Sequence, residues 1–579
     1  MGRERLKKAD RSPIEIVAEG AVNSPLQTPY IDDREACSTG LGQTIDYELL
    51  IVGAGPHALS LVTKLMEEQK DELEESPNNS NLFKISADNH IEAKYKVLPD
   101  GKFLQKDETI RNRWGKSSRS KKQHDALLQN VCVIDRNDTW CAQWKNQFKM
   151  LGIPYLRSTL AAHPDPLDPQ CMRVYIEATS DRCCSVLNIQ VDRSTSYQGP
   201  FEVPKTDIYN KFTDEIVKRY HLENAITKGD VTNVKLIQTR QAEKDKEAAA
   251  DEKKVNDIHI DKEVKDSKHQ YDHHFEVKVK DTTGERIVTT RNVVFATGPL
   301  NTPVFPEFYS ELDDEEKARL LKTHKIYHSC NIIWAHLEKE DRNRGENIND
   351  FENLLIIGGG LTAGHLATRA IHTCVKDKEK AKHVTLFARR PLQTRQFDLD
   401  LDWMGQKRAS NLASFWSSSD YDKRLQTLAN AKNGGSMTPE LQKELEKGKE
   451  TGCFTLYEET DIQYAYFDET IQKWEVLFKG YSGEEGLFYY DVIWCATGTK
   501  PDITSEKSIF KGLSEEMEIV GGKLPKLTNE LRIKEGINAF VLGQLAGLIL
   551  GPGSLNLMGG RAGAARVAEA LKANSLGDL

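Results

Sequence analysis

The stretch that decides the fold is residues 47–70, YELLIVGAGPHALSLVTKLMEEQK. It opens with a short apolar run that ends at glycine, which reads as a buried strand, and it closes as an amphipathic helix. Between them Gly53, Gly55 and Ala58 fill the three small-residue positions of a GxGxxG/A turn. The first makes the tight turn, the second lets backbone approach a pyrophosphate, and the third permits close packing of helix on strand. Free N–H groups and the dipole at the helix amino terminus then favour phosphate. An ordinary strand-to-helix turn would look the same in isolation, so the reading needs further elements.

The same grammar returns in FENLLIIGGGLTAGHLATRAI, residues 351–371, with Gly358, Gly360, Ala363 and Gly364; the spacing is 358 − 53 = 305 residues. A unit of this kind carries a carboxylate for the ribose hydroxyls about 20 residues beyond its glycines. No strand ends there in the first unit. The next convincing one is VCVID, closing at Asp135, with 135 − 55 = 80 residues between. Asp135 is therefore assigned to the ribose across a polar insertion, the alternative being a helix or turn cap. In the second unit HVTLFARRP ends in Arg389 and Arg390, with 389 − 360 = 29. Cations at this place suit a ribose 2′-phosphate and point to NADPH; a surface basic pair is the alternative. Two strand-terminal segments, Ala296-Thr297-Gly298 and Ala496-Thr497-Gly498, complete the order turn, ATG, turn, ATG.

Residues 1–44 lack periodicity and are expected to form a flexible leader. Two polar stretches, about 67–130 and 238–274, are expected as surface insertions. The second holds His259, His269, His273 and His274, which read as part of a solvated charge run; no metal is expected. With 79 basic and 88 acidic residues the formal charge is −9, which gives no overall attraction for nucleic acid or an anionic membrane. No run reaches the roughly 18 apolar residues of a membrane span. The start lacks the core of a secretory signal, and Leu6 stands where a myristoylation signal has Ser or Thr. The chain is expected to be cytoplasmic. Ten cysteines are too sparse for a disulfide scaffold, and no CxxC or CxxxxC pair follows either turn, which argues against thiol-disulfide chemistry. HExxH, GxxxxGK[ST] and GxSxG are absent as well.

With these motifs the chain resembles the two-dinucleotide-domain flavoproteins over about residues 46–572. The segments 139–166 (TWCAQWKNQFKMLGIPYLRSTLAAHPDP), 389–405 (RRPLQTRQFDLDLDWMG) and 538–571 look like the flavin N-hydroxylating monooxygenases grouped with lysine and ornithine N-hydroxylases. Tyr327 to Ser329 is similar to the HS element of flavin monooxygenases. The full FxGxxxHxxx(Y/F) fingerprint is missing, and Gln544 stands where relatives often have Asp.

The resemblance implies an α/β fold with two Rossmann-like dinucleotide-binding domains. Residues 45–330 and 500–579 would bind FAD, and an inserted domain, residues 331–499, would bind NADPH. NADPH would reduce FAD, dioxygen would add as a flavin hydroperoxide, and oxygen would pass to a nucleophilic nitrogen of a small-molecule substrate. The FAD set is Gly53, Gly55, Pro56, His57, Ala58 and Asp135, with Trp144 covering the cofactor and Leu555 or Asn556 near the isoalloxazine. The NADPH set is Gly358, Gly360, Leu361, Thr362, Arg389 and Arg390. No catalytic residue is assigned; His57, His328 and Asn556 are candidates. Arg157, Ser158 and His163 either face the pocket or build a turn with Pro164, Asp165 and Pro166, and Trp403 either walls the pocket or belongs to the core. A homo-oligomer is compatible with the resemblance. Two other readings stay open: a flavin reductase or dehydrogenase with a quinone or protein acceptor, and a non-catalytic flavin-bound regulator.

Overall fold

The computed structural model describes residues 45–67, 95–97, 103–105, 121–166, 169–179, 185–189, 201–238, 273–298, 301–332, 351–376, 382–405, 407–432, 434–505 and 508–574. The expected leader, much of the first polar stretch and residues 239–272, with His259 and His269, lie outside the described residues.

YELLIV is strand β1 (Tyr47–Val52), with Leu49 to Val52 buried, and Pro56 at the first helical position starts α1 (Pro56–Met66). After the long insertion, β2 (Val131–Asp135) lies parallel to β1 with Leu49 opposite Val131. Helices α2 (Ala142–Leu151) and α3 (Thr206–Arg219) follow, and β3 (Ile226–Lys228) pairs parallel with β2. Strands β4 (Asp230–Gln238), β5 (His273–Asp281) and β6 (Gly284–Phe295) form an antiparallel meander. The first half of β6 serves that meander, and its second half, Thr290 to Phe295, runs parallel to β1.

From here β7 (Asn301–Pro303) leads away to a second sheet built from β8 (Ile326–His328), β9 (Asn353–Ile357), β10 (His383–Phe387), β11 (Phe454–Tyr457) and a later strand. Helix α4 (Leu361–Lys376) joins β9 to β10, and α5 (Arg408–Ser417) lies between β10 and β11. An antiparallel trio, β12 (Thr460–Asp468), β13 (Lys473–Gly480) and β14 (Glu485–Tyr490), precedes β15 (Val492–Cys495). The second sheet is parallel throughout, in the order β8-β15-β9-β10-β11. Its NLLII strand is apolar on both faces because both are covered. Leu354 and Ile356 pack with Leu366 and Ala370 of α4, while Leu355 packs with Trp474, Val476 and Phe478 of the trio.

β16 (Thr499–Pro501) then pairs antiparallel with β7, Asn301 opposite Pro501, so the chain leaves and re-enters the first unit through one two-stranded link. Tyr309, Leu320 and Ile326 belong to the second unit's core, and β8 pairs with β15, so the second unit begins well before residue 331. β17 (Ala539–Val541) completes the seven-stranded first sheet beside β6, and α6 (Leu557–Asn574) packs along α1. Two α/β units, each with a strand, glycine turn and helix in succession, are the expected fold class.

Candidate functional site

The two turns share their main-chain anchoring. Gly53 N–H donates to the Ile134 carbonyl at 2.7 Å, and Gly358 N–H to Phe387 at 2.9 Å. Ala296 N–H donates to Val52 O at 2.9 Å, and Ala496 N–H to Ile357 O at 2.8 Å. Gly53 (φ +100) and Gly358 (φ +150) adopt backbone that other residues avoid, and a Cβ on either would come within 2.7 Å of Ala296 O or 2.5 Å of Ala496 O. Both ATG segments thus cross directly beneath the turns. A Cβ on Gly55 would instead meet nothing, standing in the open mouth of the first turn where a pyrophosphate would have to approach. No side chain caps the start of α1, which leaves its first-turn N–H groups for such a ligand.

Asp135 ends β2 beside this mouth. Its Oδ2 accepts from Ala54 N–H at 2.8 Å, and its Oδ1 from the Asn137 backbone N–H at 2.8 Å and Nδ2 at 3.1 Å. The carboxylate both braces the turn and keeps acceptor capacity, since an ionised carboxylate has about four lone-pair sites. The matching hydrogen bonds make Ala388 the counterpart of Asp135, because Ile134 and Phe387 hold the same place. The second turn therefore has a methyl where the first has a carboxylate, and exposed Arg389 and Arg390 follow it. Neither arginine has an ion pair among the described residues. The turn lies against this segment, with Gly359 facing Ala388 and Leu392, while Gly360 faces Gly435. Leu361 and Thr362 begin α4 at the same mouth.

His57 points into the protein. It is half-buried beside Gly560 of α6 and near Gly543, hydrogen-bonds the Asn556 backbone, and has no partner at Nδ1. Burial lowers its pKa to about 4, so the ring is neutral near pH 7 and offers a phosphate no charge. Asn556 stands just before α6; its carbonyl accepts from Gly559 and Gly560 N–H, and its Nδ2 lies 3.5 Å from Asp398 Oδ1. Neighbouring Leu555 is exposed. His328 is buried with both ring nitrogens engaged: Nε2 meets Gly498 O at 3.0 Å, and Nδ1 accepts from Cys330 N–H at 3.3 Å. It fastens the second ATG segment to β8.

Cys141 N–H donates to Ala54 O at 2.8 Å and starts α2 next to the first turn. One helical turn on, Trp144 stacks on Phe148 at 4.1 Å and tilts against Tyr209 at 5.1 Å. The Cys141 thiol is buried and pushed up to about 12, unsuited to redox exchange. Arg157 clips distant segments together, donating to Gln396 O at 2.9 Å, Arg395 O at 2.8 Å and Ser436 Oγ at 3.2 Å. His163 is buried, its Nε2 3.1 Å from Pro169 O and its pKa lowered by burial to about 3, and Asp165 pairs with buried Arg219 at 2.6 Å. His273 accepts from Asn538 N–H at 3.3 Å, and no metal-holding group occurs among the described residues.

A cleft opens between α5 and the first turns of α6, lined by Trp403, Arg408, Leu412, Trp416, Asn556 and Met558 among others. Sequence reasoning reached Trp403 and Asn556 but missed Arg408 and Trp416, which lie in no recognisable motif.

The paired turns, the mixed and the parallel sheet and the two-stranded link define a two-dinucleotide-domain fold of the flavoprotein type. The pyridine nucleotide-disulphide oxidoreductase family model matches residues 213–412. Ornithine hydroxylase PvdA from Pseudomonas aeruginosa superimposes with TM-score 0.55 at 13% identity, over 92% of this chain and 100% of that one. The FAD-bound cadaverine monooxygenase DfoA from Erwinia amylovora gives 0.54 at 12% identity, over 92% and 96%. The ornithine N-hydroxylase KtzI from Kutzneria sp. 744, in complex with reduced FAD, NADP+ and L-ornithine, gives 0.55 at 12%, over 91% and 99%. At these identities the likeness establishes a shared fold. No curated protein matches the sequence.

Proposed function

We propose that the chain is an FAD- and NADPH-dependent monooxygenase that hydroxylates a nucleophilic nitrogen of a small molecule. One observation carries this reading: two turns anchored by the same main-chain hydrogen bonds differ at the position that sorts cofactors, Asp135 at one and Ala388 followed by Arg389 and Arg390 at the other. A carboxylate suits free ribose hydroxyls, and a methyl followed by cations suits a 2′-phosphate. The fold shared with N-hydroxylating enzymes that contain FAD and NADP+ supports the same assignment.

Residues of the first unit, about 45–303 and 499–574, would hold FAD, and those between would hold NADPH. FAD, when bound, supplies the redox and oxygen chemistry. The mouth of the first turn and the start of α1 would take its pyrophosphate, and Asp135 its ribose. Asn556 and Leu555 immediately precede α6, beside the start of α1, where the ring would lie, with neutral His57 holding the Asn556 backbone in place. Pro56 and Ala58 shape the turn, and Trp144 shields its flank. At the second turn the N–H groups of Leu361 and Thr362 would meet phosphate, and the two arginines the 2′-phosphate. The substrate is a small molecule met together with dioxygen. No helix among the described residues is long and apolar enough to cross a membrane.

The test is oxygen consumption by the FAD-loaded protein with NADPH and a panel of primary amines. Oxygen uptake matched by hydroxylamine product is expected. NADPH oxidation that continues without oxygen and passes to a quinone would reject the monooxygenase in favour of a reductase.

A further inference from the structure

The antiparallel trio β12, β13 and β14 covers the second sheet with one face only. Ala465, Phe467, Trp474, Val476 and Phe478 point inward and belong to the second unit's core. Alternation along the strands puts Tyr464, Tyr466, Glu475, Leu477, Leu487 and Tyr489 on the opposite face. Six of the nine exposed large apolar side chains among the described residues fall between Tyr464 and Tyr489. Four of them are on this face, and Ile471 and Tyr481 stand in the turns at its two ends. Single exposed apolar side chains are ordinary, whereas a contiguous group marks a docking surface.

The face has an ordered pattern. Leu477 on the central strand stands opposite Tyr464 on one side and Leu487 on the other, which makes an apolar row. Two residues before it Glu475 lies opposite Tyr466 and Tyr489, and two residues after it Lys479 lies opposite Glu485. Tyr489 OH donates to Glu475 Oε2 at 3.2 Å, and Lys479 pairs with Glu485 at 3.0 Å, so both charges are held on this side of the sheet. Such a pattern is complementary to itself. Two sheets packed face to face lie about 10 Å apart with their strands within about 30° of alignment. A two-fold axis crossing the strands at Leu477 lays the apolar row on its own copy and sets Glu475 of each chain against the partner's Lys479. An axis along the strands would instead set Glu475 on the partner's Glu475, so charge selects the first arrangement.

We propose that the outer face of this trio docks on the same face of a second copy of the chain, with Leu477 at the two-fold axis. The contact is isologous, as in most two-fold dimers, and it does not depend on the proposed function. The face holds fewer side chains than the roughly 20 to 30 residues a side of a standard interface, which makes the dimer a weak one with a dissociation constant in the micromolar range.

The test is sedimentation velocity of the purified full-length protein over about 1 to 100 µM, the range a weak interface allows. The wild type should pass from monomer to dimer across that range. Leu487→Asp changes an exposed side chain, should leave the melting temperature unchanged, and should weaken association by about tenfold or more, as loss of a central contact does. Glu475→Lys and Lys479→Glu each bring like charges together across the axis and should each weaken self-association. Mixing these two single variants should restore it, because every charge then meets its opposite, and a merely structural role for either residue would not give that rescue. A wild type that stays monomeric at every concentration would overturn the proposal and leave the face to a different partner or to another segment of this chain. So would a dimer that Leu487→Asp and both charge exchanges leave unchanged, or a mixture of the two single variants that associates no better than each alone.

Discussion

Replacing Arg389 and Arg390 together by Ala probes the cofactor assignment at its most exposed point. Both side chains are solvent-facing and lack an ion pair among the described residues, so their removal disturbs no packing. A hydrogen bond to a charged group contributes about 1.5 to 3 kcal/mol. Solvent screening at so open a site reduces this to about 0.5 to 1 kcal/mol for each arginine. Two contacts to a 2′-phosphate then amount to about 1 to 2 kcal/mol, or roughly 5- to 30-fold in affinity at about 1.4 kcal/mol per decade. NADH has no 2′-phosphate, and its binding should change by less than about threefold, within the small effect of exposed charges. The assay is stopped-flow reduction of bound flavin against NADPH and NADH concentration, which separates binding from later steps. Equal losses for the two nucleotides, or an NADPH affinity changed by less than about threefold, would refute the assignment of Arg389 and Arg390 to the 2′-phosphate.

Three further outcomes follow from the same geometry. Gly55→Val places a branched side chain in the open mouth of the first turn and should yield folded protein without FAD, checked by circular dichroism and flavin content; stoichiometric FAD would show that the turn is only structural. Gly358→Ala drives a Cβ against Ala496 O at 2.5 Å in a backbone region hostile to side chains, and should lower the melting temperature by several degrees or more, read by calorimetry. Desolvation lowers the pKa values of His57, His163 and His365 from 6.5 to about 4, 3 and 4. Because the unfolded chain takes up these protons first, their stabilising share is intact above pH 6.5 and is lost as pH falls toward 4. His57→Gln should make denaturant stability less steep between pH 6.5 and 4, and an unchanged slope would show that the ring is not buried neutral.

The turns were legible because their chemistry is local. Gly53 and Gly358 each need a backbone that glycine tolerates, and each follows an apolar strand that must be covered on both faces. The place of Asp135 beside the first turn was legible despite the long insertion because VCVID is itself a recognisable strand, and its pairing with β1 depends on that strand and not on the intervening sequence. The start of the second unit was misjudged. Residues 307–328 carry ordinary amphipathic patterns, and only pairing of β8 with β15, 166 residues later by 492 − 326, assigns them to a sheet. The cleft was invisible for the same reason. Arg408 and Trp416 meet Asn556 and Met558 across 556 − 408 = 148 residues, and no short spacing encodes that meeting. Arg157 shows the limit from the other side: its segment read equally as facing a pocket or building a turn, and its donors go to backbone carbonyls near residue 395 and to Ser436 Oγ.

The most direct measurement is the visible spectrum of the purified protein with FAD, taken anaerobically before and after NADPH and again after air. The account predicts a flavin band that NADPH bleaches and air restores. A protein that remains colourless after incubation with FAD, or whose flavin NADPH leaves oxidised, would contradict it.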